Sequence, residues 1–212
     1  MEKRALALFD FDGTLIRGDS ILRYVAFARK RGRLSARELL RALSAGARYF
    51  LKGIDDNQMK TRVLSFWTRM DRGERARFDE AFADTLIDAM YQDGKRALDA
   101  AKKKGQTILL VSASTENYMR YVAKRLNVSL LCTRMDENGI VTGNCKGKEK
   151  IVRIDQWLRE NNIECDKEHT AAYGDTGSDF DMLAHYGAGV CVNAKRALKK
   201  KAKGRLPFVR WK

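Results

Sequence analysis

Apolar positions along the 212-residue chain follow three rhythms, and each predicts a different kind of element. The first is a single run, "RALALFDF", apolar on consecutive positions like a strand buried on both faces of a parallel sheet. Asp10 falls at its C-terminal end. The second rhythm, from about Arg17 to about Tyr91, is helical. "DSILRYVAFARKRG" groups Ile21, Leu22, Val25, Phe27 and Ala28 and stops at Gly32. "SARELLRALSAGARYFLKG" opens on Ser35 with Glu38 three residues later, a capping box, and stops at Gly53. "DDNQMKTRVLSFWTRM" and "RARFDEAFADTLIDAMY" complete four helices with no strand between them, which predicts a small bundle.

The third rhythm alternates. "GQTILLVSAS" reads as a buried strand, "TENYMRYVAKRL" as a helix and "SLLCTRM" as a strand. "DENGIVTGNC" predicts a hairpin turning at Asn138-Gly139. "KEKIVRIDQWLRENN" is a helix, "HTAAYGD" a strand, "SDFDMLAHYG" a helix and "AGVCVN" a last strand. Alternation of this kind predicts an α/β fold, a doubly wound, mostly parallel sheet with a Rossmann-like core. The α-helical bundle is then a cap inserted after the first strand. The expected division is 1–16 with 92–212 as the α/β core, and 17–91 as the helical cap domain.

In an open α/β sheet, ligands bind beyond the carboxyl ends of the strands. Three predicted strands end in polar clusters there: Asp10 and Asp12, Ser112-Ala113-Ser114, and "GDTGSD" with Asp175 and Asp179. Carboxylates gathered at one edge repel unless something neutralises them. Aspartate oxygens and a backbone carbonyl describe a Mg2+ site. The alternative for Asp179 alone is a helix N-cap.

"FDFDGTL", "VSAS", "GKEK" and "GDTGSD", in that order, resemble the four motifs of the haloacid dehalogenase-like hydrolases. The inserted helical cap is similar to that of the phosphoserine-phosphatase-like branch. The resemblance spans essentially the whole chain, and it implies a Mg2+-dependent phosphatase acting on a small organic phosphate ester. It makes Asp10 the nucleophile and a metal ligand, and Asp12 the acid and base whose carbonyl also meets the metal. Ser112 and a lysine would contact the phosphoryl group, with Gly13, Thr14 and Ala113 beside it. Asp175 and Asp179 would complete the metal site. "CKGKEKIVRI" offers Lys146, Lys148 and Lys150; a G-x-x-K alignment selects Lys150, the preferred catalytic lysine, and a G-K alignment would select Lys148.

The same resemblance places Asp19, nine residues after the nucleophile, at a substrate amino group, and Arg62 at a substrate carboxylate. The aromatic residue expected before that arginine is replaced by "GIDDNQ". Plainer readings are Asp19 as a helix cap and Arg62 as a solvated residue.

The net charge of +15 fits an anionic partner: a phosphorylated metabolite, nucleic acid or an anionic membrane. Interleaved aromatic and basic residues of a nucleic-acid surface are lacking, so no nucleic-acid partner is expected. The basic stretch "NAKRALKKKAKGRLPFVRW" allows peripheral membrane contact. Some similar enzymes act on phosphatidylglycerophosphate, which makes a lipid phosphate the alternative substrate. A receiver-type phosphoacceptor domain would also phosphorylate an aspartate beside Mg2+, but Asp12 favours turnover over a lasting phosphoryl group. No run reaches the ~18–20 apolar residues of a membrane span. Cys132, Cys145, Cys165 and Cys191 are scattered. With no signal-peptide pattern at the N-terminus, these read as reduced thiols of a cytoplasmic protein.

Overall fold

A computed structural model describes residues 2–212. Its central feature is a sheet in the order β5 (Val141–Thr142), β4 (Ser129–Met135), β3 (Thr107–Thr115), β2 (Leu6–Phe9), β7 (Ala171–Gly174), β8 (Ala188–Val192), β9 (Phe208–Val209). Every pairing is parallel except β4 with β5. From β2 the chain continues to β3 on one side and later to β7 on the other. The strand order therefore switches at β2, where an open sheet forms its crevice. All four β2 residues are buried, as the uninterrupted apolar run requires.

Four helices lie between β2 and β3 ahead of a fifth: α1 (Ser20–Lys30), α2 (Ala36–Phe50), α3 (Asp56–Val63) and α4 (Arg72–Asp88) precede α5 (Gln92–Lys103). The capping box at Ser35 is present, with Ser35 and Glu38 bonded reciprocally. The remaining helices are α6 (Glu116–Leu126), α7 (Lys148–Glu160), α8 (Phe180–His185) and α9 (Arg196–Ala202). The entry and exit of the four-helix segment are tied together, with Tyr91 N–H donating to Leu15 O at 2.9 Å.

Several boundaries differ from expectation. The first strand begins at Leu6, because residues Glu2–Arg4 form a separate strand, β1, paired with β6 (Ile163–Cys165). All three β1 residues are exposed and give no apolar signal. The helix expected over 55–70 breaks at Leu64 and continues as a 3-10 turn, Ser65–Arg69, which carries Phe66 and Trp67 into the core. The basic tail forms α9 and the edge strand β9, and Trp211 packs on Tyr173 with ring centroids 5.4 Å apart.

The four inserted helices are held unequally. Tyr24 of α1 packs on Phe66, Phe78, Phe82 and Tyr118, so α1 and α4 share one aromatic cluster with α6. Inside it lies Asp79, buried, accepting from Tyr24 OH, from Asn117 Nδ2 (3.0 Å) and from Trp67 Nε1 (3.0 Å). Three donors replace the lost water, as a buried carboxylate requires.

Candidate active site

The switch point holds a cleft of about 510 Å³ between the carboxyl ends of the strands and helices α1 to α3. Its floor is charged. Asp10 follows β2 directly, and its N–H donates to Tyr173 O at 2.9 Å, pinning it between β2 and β7. The Asp10 carboxylate is oriented from both oxygens: Lys150 Nζ donates to Oδ1 at 2.6 Å and Thr14 Oγ1 to Oδ2 at 3.0 Å. Lys150, in the first turn of α7, also donates to Asp179 Oδ1 at 2.7 Å. Thr176 N–H and Oγ1 hold the other oxygen of Asp179 at 2.9 and 2.6 Å. Of the three lysines in the sequence cluster, only Lys150 is buried and meets Asp10; Lys148 is exposed, and Lys146 pairs with Asp56 at 3.1 Å.

Asp12 faces the start of α1. Its Oδ1 accepts from Ser20 N–H at 2.7 Å, and its Oδ2 accepts from the Ser20 hydroxyl and from Ser114. Tyr118 OH closes the cluster, 2.9 Å from Ser20 Oγ. Sequence reasoning missed Ser20 and Ser114 as partners of Asp12, and Tyr118 as the residue that holds Ser20. A signal existed for Ser114, which ends the "VSAS" cluster already singled out.

The last turn of β3 explains how Ser114 gets there. Pairing with β4 shifts register between Ser112 and Thr115, a bulge that inserts extra residues at the strand end. Ser112 is buried below it, its Oγ accepting from Ser114 N–H at 3.0 Å. Ala113 lines the cleft, and its carbonyl accepts from Thr133 Oγ1 and Lys60 Nζ, both at 2.6 Å. Lys60 also donates to Asn144 at 2.6 Å, so α3 is anchored to the floor.

The expected substrate residues are placed otherwise. Arg62 is exposed and does not line the cleft, whereas Lys60 does. Two helical residues are ~200° apart, so the two side chains leave α3 in opposite directions. Asp19 lines the cleft, but its Oδ1 caps α1, accepting from Ile21 N–H (2.8 Å) and Leu22 N–H (3.1 Å). Thr14 meets Asp10 itself. Gly13 N–H donates to Ile16 O at 2.9 Å. The glycine is required there on two counts. Its φ is +82°, and a Cβ would sit 2.1 Å from Asp175 Oδ2.

Burial governs the protonation of the floor. It pushes Asp10 up to about 6, helped by repulsion from Asp179 and opposed by Lys150. It pushes Asp12 up to about 7, with Asp19 and Asp10 adding to the effect. Asp175 rises to about 7 through burial and the charge of Asp10. Asp179 goes the other way: burial disfavours its charge, but Lys150 outweighs this and holds it below the usual carboxylate range. Lys150 stays protonated, since Asp10 and Asp179 more than offset its burial.

Oxygens of Asp10, Asp175 and Asp179 all lie within 4.8 Å of one another. Both Asp175 carboxylate oxygens are buried without a hydrogen-bond partner, and Oδ2 forms an ion pair with Lys195, 2.8 Å away at the rim. Crowded carboxylates with an unpartnered oxygen, next to a turn kept clear by Gly13, fit a hard divalent cation with oxygen ligands such as Mg2+.

A family model for haloacid dehalogenase-like hydrolases matches residues 7–184. The chain belongs to that family. A probable phosphatase of Mycobacterium tuberculosis is 30% identical over 210 residues, covering 94% of this chain and 72% of that protein. A protein of unknown function from Bordetella pertussis has the same fold, with a TM-score of 0.87, 22% identity and 98% of each chain covered. A substrate-bound phosphoserine phosphatase superposes with a TM-score of 0.62 at 19% identity, covering 99% of this chain and 94% of that one. The α/β fold with inserted helices is thus that of the phosphoserine-phosphatase-like branch, and the chain is an enzyme among relatives named as phosphatases. No helix is long and apolar enough to cross a membrane among the described residues.

Proposed function

We propose that this enzyme is a Mg2+-dependent phosphomonoesterase working through an aspartyl-phosphate on Asp10. The observation that carries the reading is one cleft holding a carboxylate oriented from both oxygens and, two residues on, a second carboxyl poised near neutrality. Asp10 attacks phosphorus, and the ester P–O bond breaks toward the leaving oxygen. Asp12, protonated at this stage, gives that oxygen its proton. The resulting Asp12 carboxylate then takes a proton from the water that attacks the acyl-phosphate, which frees Asp10 and phosphate. A carboxyl near 7 suits both half-reactions, since acid and base forms are both populated at neutral pH. Lys150 stays charged throughout and compensates the phosphoryl charge gathering on Asp10.

Asp10, Asp175 and the Asp12 carbonyl would hold Mg2+, with Asp179 orienting the surround. The ion would supply further neutralisation of the phosphoryl oxygens. A phosphoserine-like substrate would rely on Asp19 and Arg62. The cap role of Asp19 and the outward position of Arg62 argue for a phosphate monoester lacking an amino-acid head.

Hydrolysis of p-nitrophenyl phosphate with Mg2+, in chelator, and by Asp10→Asn tests the proposal. Turnover by the wild type with Mg2+ alone is expected. Undiminished turnover in excess chelator or by Asp10→Asn contradicts it.

A further inference from the structure

Helix α2 is built inside out. Its buried residues are Ala42 and Ala45, while Leu40 is 67% exposed, Leu43 62% and Phe50 84%. A surface helix normally turns its large apolar side chains to the core and its small or polar ones to water. At 100° per residue, Leu39, Leu40, Leu43, Ala47 and Phe50 fall within an arc of ~100°. Arg37, Arg41 and Arg48 form a second stripe ~130° away from its centre. Leu51, which ends the helix, is 82% exposed beside the apolar stripe. Basic residues beside an exposed Leu/Phe stripe are the signature of a helix lying in a lipid–water interface.

That stripe is continuous with the active site. Leu39, Leu43 and Phe50 line the same cleft as Asp10, Lys150 and Asp175. Ile21 and Val25 of α1 and Met59 of α3 complete its roof. The charged groups on the roof side are already engaged: Asp19 caps α1, Lys60 binds Ala113 O and Asn144, and Asp56 pairs with Lys146. One end of the cleft thus fits a phosphate and the other an apolar body, with nothing between them arranged for a zwitterion.

We infer that the substrate is a phosphate monoester carrying a linear apolar chain, taken from an anionic bilayer on which the Leu/Phe stripe and arginines of α2 rest. The inference rests on the phosphatase reading for the fate of the phosphate, and on the roof alone for the chain. It moves the lipid contact away from the basic tail. In α9 the apolar residues Leu198 and Ala202 are buried, leaving lysines without an exposed apolar stripe.

Two measurements test it. Monoalkyl phosphates from butyl to decyl, below their micellar concentrations, should show kcat/KM rising about two- to fourfold per methylene, the upper figure matching full burial of each one. A flat series beside normal p-nitrophenyl phosphate hydrolysis overturns the inference and leaves the phosphatase reading standing. Binding of the matching alkylphosphonates, followed by calorimetry, needs no turnover. Affinity climbing with chain length upholds the inference even if no ester is hydrolysed, and equal affinities overturn it. For the surface, wild type should cosediment with phosphatidylcholine vesicles containing phosphatidylglycerol. The double variant Leu40→Glu/Leu51→Glu, checked as folded by circular dichroism, should bind about tenfold less. Equal sedimentation of the two proteins, or none by the wild type, overturns the bilayer contact.

Discussion

The floor and the roof of the cleft obey opposite rules. The floor is fixed by charge: Asp10, Asp12 and Asp179 are each held by at least two donors. Among the three metal-facing carboxylates, only Asp175 has buried oxygens without a hydrogen-bond partner, its Oδ2 facing Lys195. The roof is tied to the floor through Lys60 of α3 and is otherwise fixed mainly on one side. There α1 and α4 are locked to α6 by the aromatic cluster around Asp79, while α2 offers Leu40, Leu43 and Phe50 to its surroundings. The contrast teaches that this fold separates chemistry from selection. Groups on the sheet are placed to within hydrogen-bond distance, and the variable contact is made by helices that share little of that network.

Changes in the floor should therefore act on every substrate, and the largest is at Asp12. Asp12→Asn should lower kcat about 10²- to 10⁴-fold on aryl and alkyl phosphates alike, the usual scale of a lost acid/base. Steady-state kinetics on two dissimilar esters checks it. A loss confined to one ester would blur the division between floor and roof.

Next in size is the anchor of the roof. Asp79→Ala leaves the Trp67 and Asn117 donors without their acceptor and should cost about 2–4 kcal/mol in urea unfolding. The milder Asp79→Asn isolates its titration. Burial raises Asp79 to about 6 in the folded protein, against an ordinary 3.8. A raised carboxyl favours the folded state at low pH, and that contribution is lost as pH climbs through the folded value. Wild type should therefore lose about 2 kcal/mol relative to Asp79→Asn between pH 4 and pH 8. Parallel stability profiles for the two proteins would contradict this.

A smaller effect of opposite sign is expected at Asp175. Without metal, Asp175→Asn removes one of three crowded carboxylates and should raise stability by about 1–2 kcal/mol. The same variant should lose most of the Mg2+-induced rise in Tm, since a ligand stabilises only the state that binds it. Scanning calorimetry with and without Mg2+ reads both.

The sequence made the floor legible and left the roof largely hidden, for physical reasons. Paired aspartates after an apolar run cannot be mistaken for packing, and their spacing survives in any local structure. "FDFDGTL" and "GDTGSD" thus announced Asp10, Asp12, Asp175 and Asp179 as a group. The bulge in β3 left no such mark, so Ser114 was passed over as the partner of Asp12. On α2 the capping box marks the helix, but helical periodicity cannot say whether an apolar stripe faces the core or a cleft. On α3 the expected arginine and the buried lysine differ by two positions, enough to exchange inside for outside. Strands β1 and β9 are too short and too exposed to register as apolar runs.

The smallest effect follows from that exchange. Arg62→Ala should change stability by less than ~0.5 kcal/mol, as for an ordinary surface site, and leave kcat/KM for phosphoserine and for an aryl phosphate in unchanged proportion. A selective loss on phosphoserine would return Arg62 to the cleft.

The central claim, that Asp10 carries the phosphoryl group, is tested most directly by trapping it. Asp12→Asn should slow breakdown of the intermediate, so the variant is mixed with Mg2+ and p-nitrophenyl [32P]phosphate and quenched in acid within one turnover. Label should be bound to the protein, released by hydroxylamine as an acyl-phosphate is, and mapped to the peptide containing Asp10. Label on any other residue, or its persistence when Asp10→Asn is added to Asp12→Asn, would contradict the account.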